Sequence, residues 1–256
     1  MKNFLRHYRF GTVRVRHEVF PSVLLGTSPF IGAGQFGDKS YFYHQHFYEN
    51  PDNIVPVLEE GFKLGCNAVQ LIAYPALVRA VERTVEKTNI PIFVLATVGL
   101  GDLQAEIADV ARLNPQCLLI HGAYTDKNFA GIDRHLKMIR ERFPKMITGV
   151  ATHNPGIIIE KAVKIPNVDV ILSPFNKSGI FMRPSQEMTI EAVAAARKAG
   201  CKVFAMKTLA AGTIPVHEAF GFLKNQVHGL TVGLASTTEI RETLDHLRKL
   251  YPPRRR

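Results

Sequence analysis

Eight times along this chain a short apolar, β-branched run is followed by a stretch whose apolar residues recur at helical spacing. The runs lie at 23–26, 68–71, 91–97, 117–120, 146–151, 168–173, 202–206 and 230–233. Parallel neighbours need a long crossover, and a helix is the usual one. Strands alternating with helices therefore predict a parallel sheet covered by helices. Eight such units in 256 residues match the size of one (β/α)8 barrel, the TIM-barrel architecture. The reading is an α/β chain forming a single domain over 1–256. In such barrels the chemistry sits on the loops that follow the strands. The run ends are therefore where functional residues belong.

Composition narrows the partners. The chain carries 32 Lys and Arg against 22 Asp and Glu, a formal net charge of +10. That balance suits nucleic acid, an acidic surface or a phosphorylated small molecule. Part of the charge is terminal: Arg6, Arg9, Arg14 and Arg16 at one end, and a basic tail at 251–256. No basic segment interleaved with aromatic residues stands out, which removes the common nucleic-acid modules. A small-molecule substrate is the expected partner. No run approaches the roughly 18 apolar residues of a membrane span. Residues 1–19 are basic but lack a continuous apolar region, so they do not read as a secretory signal. A cytoplasmic location is expected. Cys66, Cys117 and Cys201 are widely spaced and fall at or inside the predicted strands. They read as buried, reduced thiols, not as disulfides or metal ligands.

Residues 7–19 alternate well enough to predict a two-stranded hairpin ahead of the barrel, placed to plug its bottom. A long glycine- and aromatic-rich loop is predicted at 28–50, and loops of that length inside a compact domain are usually functional. Helices are expected over 51–65, 75–87, 102–113, 129–143, 155–164, 189–199, 214–225 and 238–250. Gly65 and Gly200 read as C-terminal stops, and Thr237 or Thr238 as the cap of the last helix.

The strand ends differ in what they offer. After the first run, Gly32, Gly34 and Gly37 satisfy a G-x-G-x-x-G spacing. A dinucleotide fingerprint also needs a helix opening on the last glycine and an acidic residue about 20 positions later. The sequence supplies DKSYFYHQHFY instead, so the fingerprint is set aside. His44 and His46 form an H-x-H pair, but a metal needs further ligands, and only His121 and His153 are candidates. The stretch reads as an aromatic lid, with no metal expected. His121 ends the fourth run and should point into the mouth, where it can exchange a hydrogen bond with a substrate oxygen. Thr152, His153 and Asn154 end the fifth run, as site groups or as helix caps. Asn176 and Lys177 follow the sixth; a desolvated lysine there could form a Schiff base, but a solvated one is the commoner case. Lys207 follows the seventh. Beyond the last two runs, Gly212, Ser236 and Thr237 offer amides and hydroxyls at helix starts, which suit an anion. Arg241, in the first turn of the last helix, offers a fork of donors for a phosphate.

Taken in order, these segments resemble the aldo-keto reductase family over nearly the whole chain. LLGTSPFIGAGQFG, GCNAVQLIAYP, VLATVG, LLIHG, GVATHNP, FAMKTLAAG and GLASTTEIRETL are each similar to a segment of that family, in the same order and spacing. The resemblance implies a barrel that holds NADP(H) or NAD(H) in extended form across its C-terminal face. It implies a tyrosine acid tuned by lysine, histidine and aspartate. Carried over, the histidine is His121 and the tyrosine is Tyr74, one residue short of the family spacing. The aspartate position reads Gln70 and the lysine position Val98. The pair expected to hold the carboxamide reads Ala151 and Thr152. The glutamine position reads Leu172, with Phe175 and Asn176 matching just beyond, and the stacking aromatic reads Met206. Ser236 and Arg241 match the adenosine-phosphate positions. The implied site is thus His121 and Tyr74 for catalysis, with Thr152, Asn176, Lys207, Ser236, Thr237 and Arg241 on the cofactor. Arg241 and the basic surface favour NADP over NAD. Three readings follow. The first is an aldo-keto reductase-like NAD(P)H-dependent oxidoreductase acting on a carbonyl or alcohol. The second is a non-redox barrel enzyme using His121 and His153 for proton transfer, lyase or metal-assisted chemistry. The third is a non-catalytic protein that binds a nucleotide cofactor.

Overall fold

The computed structural model describes residues 3–253; residues 1–2, and 254–256 of the basic tail, lie outside the described residues. A hairpin of β1 (Thr12–Val15) and β2 (Glu18–Pro21) comes first, with Thr12 opposite Pro21. The barrel strands are β3 (Val23–Gly26), β4 (Ala68–Ile72), β5 (Phe93–Val98), β6 (Cys117–Ile120), β7 (Ile147–Ala151), β8 (Val170–Pro174), β9 (Lys202–Met206) and β10 (Gly229–Gly233). All eight pair in parallel, each with the next, and β10 closes back onto β3. Helices cover the outside. They are α2 (Ile54–Lys63), α3 (Pro75–Thr88), α4 (Leu103–Ala111), α6 (Ile132–Arg142), α7 (Pro155–Ala162), α8 (Gln186–Lys198), α9 (Val216–Leu223) and α10 (Thr237–Leu250). Two short helices, α1 (Lys39–Tyr43) and α5 (Gly122–Thr125), lie on the loops after β3 and β6.

Every residue of β3 to β8 is buried. That explains why the runs read as continuous apolar stretches without alternation: a barrel strand is covered on both faces. Cys66, Cys117 and Cys201 are buried thiols, and burial pushes the Cys66 thiol up to about 12. Gly65 turns the chain out of α2 with φ +86°, and a Cβ there would meet Arg9 Cγ at 2.4 Å. Only glycine meets both demands. Among the described residues no helix is long and apolar enough to cross a membrane.

The hairpin is present, but it starts at Thr12 and runs to Pro21, later than the 7–19 expected. The alternation at 7–10 has another cause. Tyr8 and Phe10 are buried, and the Tyr8 hydroxyl donates to Val23 O at 2.9 Å and accepts from Val23 N at 2.8 Å. Phe20 seals the same end, with ring centroids 4.8 Å from Phe93 and 6.1 Å from Phe204. The 28–50 segment is more ordered than a loop. Turns of 3-10 helix at Ser28–Ile31 and Gly34–Phe36 lead into α1 and a π-helix at His44–Tyr48. Ring pairs four residues apart, Phe42 with His46, Tyr43 with Phe47 and His44 with Tyr48, explain the helix, because such residues share a helical face. Capping residues correct two helix starts. Ser185 accepts from Met188 N at 3.2 Å and starts α8 at Gln186, ahead of the expected 189. Ser236, not Thr237 or Thr238, caps α10.

Candidate active site

A cavity of about 480 Å³ opens at the C-terminal mouth of the barrel, a size suited to a small-molecule ligand. Its floor is made by the strand ends: Gln70 on β4, Thr97 on β5, Leu172 on β8, Met206 on β9 and Thr231 on β10. One wall is the lid, through Gln35, Phe36, Lys39 and Tyr43. From the mouth the cavity runs along the loop after β9 to the start of α10, where Ala235, Glu239, Glu242 and Thr243 border it.

His121 follows β6 and lines this cavity, as its place at a strand end requires. Its Nδ1 accepts the Ala123 N–H at 3.1 Å, so the ring proton sits on Nε2. Burial, with the neighbouring His153 and Lys207, pulls its pKa down to about 4 against the opposing charge of Asp126. The imidazole is therefore neutral at pH 7 and offers an N–H donor. His153 lines the cavity beside it, the two ring centroids 5.7 Å apart. Behind His153 stands Asp126, 3.4 Å from its Nδ1. Asp126 also accepts from the Thr152 hydroxyl at 2.5 Å and the His153 N–H at 2.9 Å. Burial works to raise this carboxyl, but the bonds from His153 and Thr152 together outweigh it and hold it below the usual range. Asp126 was not singled out from sequence. Its only signal was an acidic residue five positions after a strand-end histidine.

Lys207 also lines the cavity. Its backbone is left-handed, φ +55°, as are those of Ala210 and Ala211 in the same loop. Three such non-glycine residues in five positions are a local strain of the kind found at binding loops. The ammonium donates to Gln35 Oε1 of the lid and lies 4.7 Å from the Phe181 ring centroid. Burial lowers its pKa to about 8. Two floor residues have polar atoms to spare. Gln70, 6 % exposed, makes no side-chain hydrogen bond among the described residues, and the buried Thr231 hydroxyl has no partner.

Gly212 of the same loop lines the cavity too, but the other residues singled out for catalysis or for the cofactor lie elsewhere. Tyr74 is not among the lining residues. It precedes α3, and its ring packs edge-on against Tyr48, centroids 5.7 Å apart. Burial, with Tyr48 and Glu106, raises its pKa. The phenol that does border the cavity is Tyr43, from the lid. Thr152 is spent on Asp126 and on the Asn154 N–H, at 2.9 Å. The buried Asn176 ties down its own loop: it donates to Ile180 O and Lys207 O and accepts from Ser178. Ser236 caps α10, Thr237 is that helix's first residue, and neither lines the cavity. Arg241 donates to Glu60 Oε1 on α2 at 2.6 Å and points away from the cavity lining. Lys177 pairs with Glu218 at 2.5 Å, as a solvated surface lysine does. His44 lies 3.5 Å from Glu49, and His46 stacks on Phe42. Among the described residues no group of three or more His, Cys, Asp or Glu is placed to hold a metal.

No protein-family model matches the sequence, and no curated protein matches it. Solved structures do match. An aldo/keto reductase from Brucella melitensis superposes with TM-score 0.64 at 13 % identity, covering 93 % of each chain. An aldo-keto reductase from Pseudomonas aeruginosa gives 0.66 at 15 %, covering 93 % of this chain and 95 % of that one. The holo form of one from Bacillus halodurans gives 0.63 at 11 %, covering 93 % and 90 %. The fold is that of the aldo-keto reductases. At these identities the likeness is one of fold, and the site must speak for the chemistry.

Proposed function

We propose that this chain is an oxidoreductase acting on a carbonyl or alcohol group of a small molecule with a nicotinamide dinucleotide. The observation that carries the reading is the shape of the cavity. It starts at a neutral histidine donor in the barrel mouth and runs past the loop after β9 to α10. The orphaned Thr231 hydroxyl and the free Gln70 amide fit a ligand with amide and carbonyl groups at the inner end. Ala151, Leu172 and Met206 would lie against the nicotinamide, and Lys207 beside the diphosphate. When bound, the cofactor supplies the hydride.

The chain's own groups orient the substrate and stabilise its charge, and the proton that completes the alcohol comes from water. The Nε2–H of His121 donates to the substrate oxygen and stabilises the negative charge that builds there. A neutral imidazole suits that role because it stays a donor across the neutral range. Gln70 adds a second donor from the floor. The lid, through Phe36 and Tyr43, forms one wall of the site. Fluorescence titration with NADH and NADPH tests the reading, followed by turnover with a panel of aldehydes and ketones. Binding of either nucleotide supports it, and binding of neither removes it.

A second reading has its own observation. His121, His153 and Asp126 form one cluster, the two ring centroids 5.7 Å apart and Asp126 3.4 Å from His153 Nδ1. A non-redox enzyme would use it to exchange a hydrogen next to a carbonyl. Deuterium uptake from solvent without nucleotide, lost in both His121→Ala and His153→Ala, would favour this reading.

A further inference from the structure

The outer end of the cavity carries negative charge where a 2′-phosphate needs positive charge. Glu239 and Glu242 of α10 both border it. Glu239 is fixed there: its Oε2 accepts the Ala235 N–H at 2.7 Å, while its own N–H donates to Ser236 Oγ at 3.1 Å. Two amides at the start of α10, those of Ala235 and Glu239, are thus engaged by the chain itself. After burial, the charge of Glu239 is what raises the Tyr43 phenol on the facing wall, so it is felt across the groove. Arg241, the residue of this turn able to fork onto a phosphate, is held by Glu60 at 2.6 Å and is not among the lining residues. Two ammoniums, Lys39 of the lid and Lys207 after β9, also border the cavity, but neither lies on α10. The two carboxylates are the charges that α10 itself brings to the cavity.

That the cavity is built for a ligand rests on separate groups. In its floor the buried Thr231 hydroxyl, on a residue 5 % exposed, has no partner, and the Gln70 amide makes no side-chain hydrogen bond among the described residues. A carboxylate accepts hydrogen bonds from free ribose hydroxyls and repels a phosphate placed on one of them, the means by which dinucleotide sites distinguish NAD from NADP. Resting on the nicotinamide reading above, we infer that this cavity selects NAD(H) over NADP(H), with Glu239 and Glu242 as the selecting residues.

The test compares NADH with NADPH by fluorescence titration, and ADP with adenosine 2′,5′-bisphosphate by calorimetry, so that no turnover is needed. It uses the full chain and the double variant Glu239→Gln, Glu242→Gln. Glutamine keeps the capping geometry at position 239. NADH is expected to bind at least about tenfold tighter than NADPH, with the 2′-phosphorylated fragment weaker than ADP in the same sense. The double variant should bring the ratio to within about threefold by tightening the phosphorylated ligands. Equal or tighter binding of NADPH by the parent protein overturns the inference and leaves the nicotinamide reading standing. So does an unchanged ratio in a double variant whose circular dichroism and melting match the parent. Binding of no nucleotide removes both.

Discussion

The two ends of the cavity are built on opposite terms. At the inner end the buried Thr231 hydroxyl has nothing to bond, the Gln70 amide makes no side-chain hydrogen bond among the described residues, and His121 keeps its Nε2–H for something the chain does not supply. At the outer end Ser236, Glu239, Arg241 and Glu60 satisfy one another. An unsatisfied buried polar group costs about 1–3 kcal/mol. The inner end therefore bears a cost that a ligand would relieve, and the outer end bears almost none. Specific chemistry should be concentrated where the chain leaves its own groups unmet.

The comparison is broken most directly at His121. His121→Ala should lower turnover by about 10²–10⁴ and leave nucleotide affinity nearly unchanged. Steady-state kinetics beside a binding titration checks both halves. Equal losses in the two would move His121 from chemistry to binding.

Acid should act next, at the inner end through His121 and, ahead of β10, through His228. His121 and His228 both titrate near 4 in the folded chain, His228 through burial and the charges of Lys202 and Arg197. Unfolded, each should titrate near 6.5. Between those values the unfolded chain binds more protons, so stability is intact above about pH 6.5 and falls as pH drops towards 4. The two groups together should give a slope of about 1–2 kcal/mol per pH unit after solvent screening. Urea unfolding at a series of pH values measures it. His121→Ala should flatten the slope, and a slope unchanged by that variant would mean the imidazole is not held neutral by the site.

The outer end should give smaller effects. Ser236→Ala removes the α10 cap at about 1 kcal/mol, a loss of about 2–4 °C in melting temperature for a chain of this size. It should leave turnover with saturating nucleotide unaltered. Arg241→Ala breaks an exposed ion pair and should change neither melting nor NADH binding measurably. A marked loss of NADPH binding in that variant would show that Arg241 leaves Glu60 when a ligand arrives.

The barrel was legible in the sequence because both faces of its strands are buried, so each strand is one apolar run. Lys202–Met206 and Cys117–Ile120 were read to the residue. The hairpin was displaced because Tyr8 and Phe10 alternate like a strand while anchoring to the barrel bottom. In the site, His121 and Lys207 were legible because a residue at a strand end has its direction set by the fold. Thr152 and Asn176 also follow strand ends, yet their side chains turn to local partners, Asp126 and the 176–180 loop. Spacing cannot distinguish a group that faces a ligand from one that bonds its own loop. Tyr43 was missed as a cavity residue because the lid's helices depend on ring pairs with no polar signature.

β3 bonds to β4 on one side and to β10 on the other, with Val23 opposite Leu230. On a ribosome the first of those strands emerges long before the second, with six barrel strands between them. Until β10 appears the Val23–Gly26 edge is open on that side, and an open edge is a template for another chain. Parallel pairing over such a separation is slow as well as late. The nascent protein is therefore a curved, unfinished sheet that needs shielding, and it becomes a barrel only when its final strand is released.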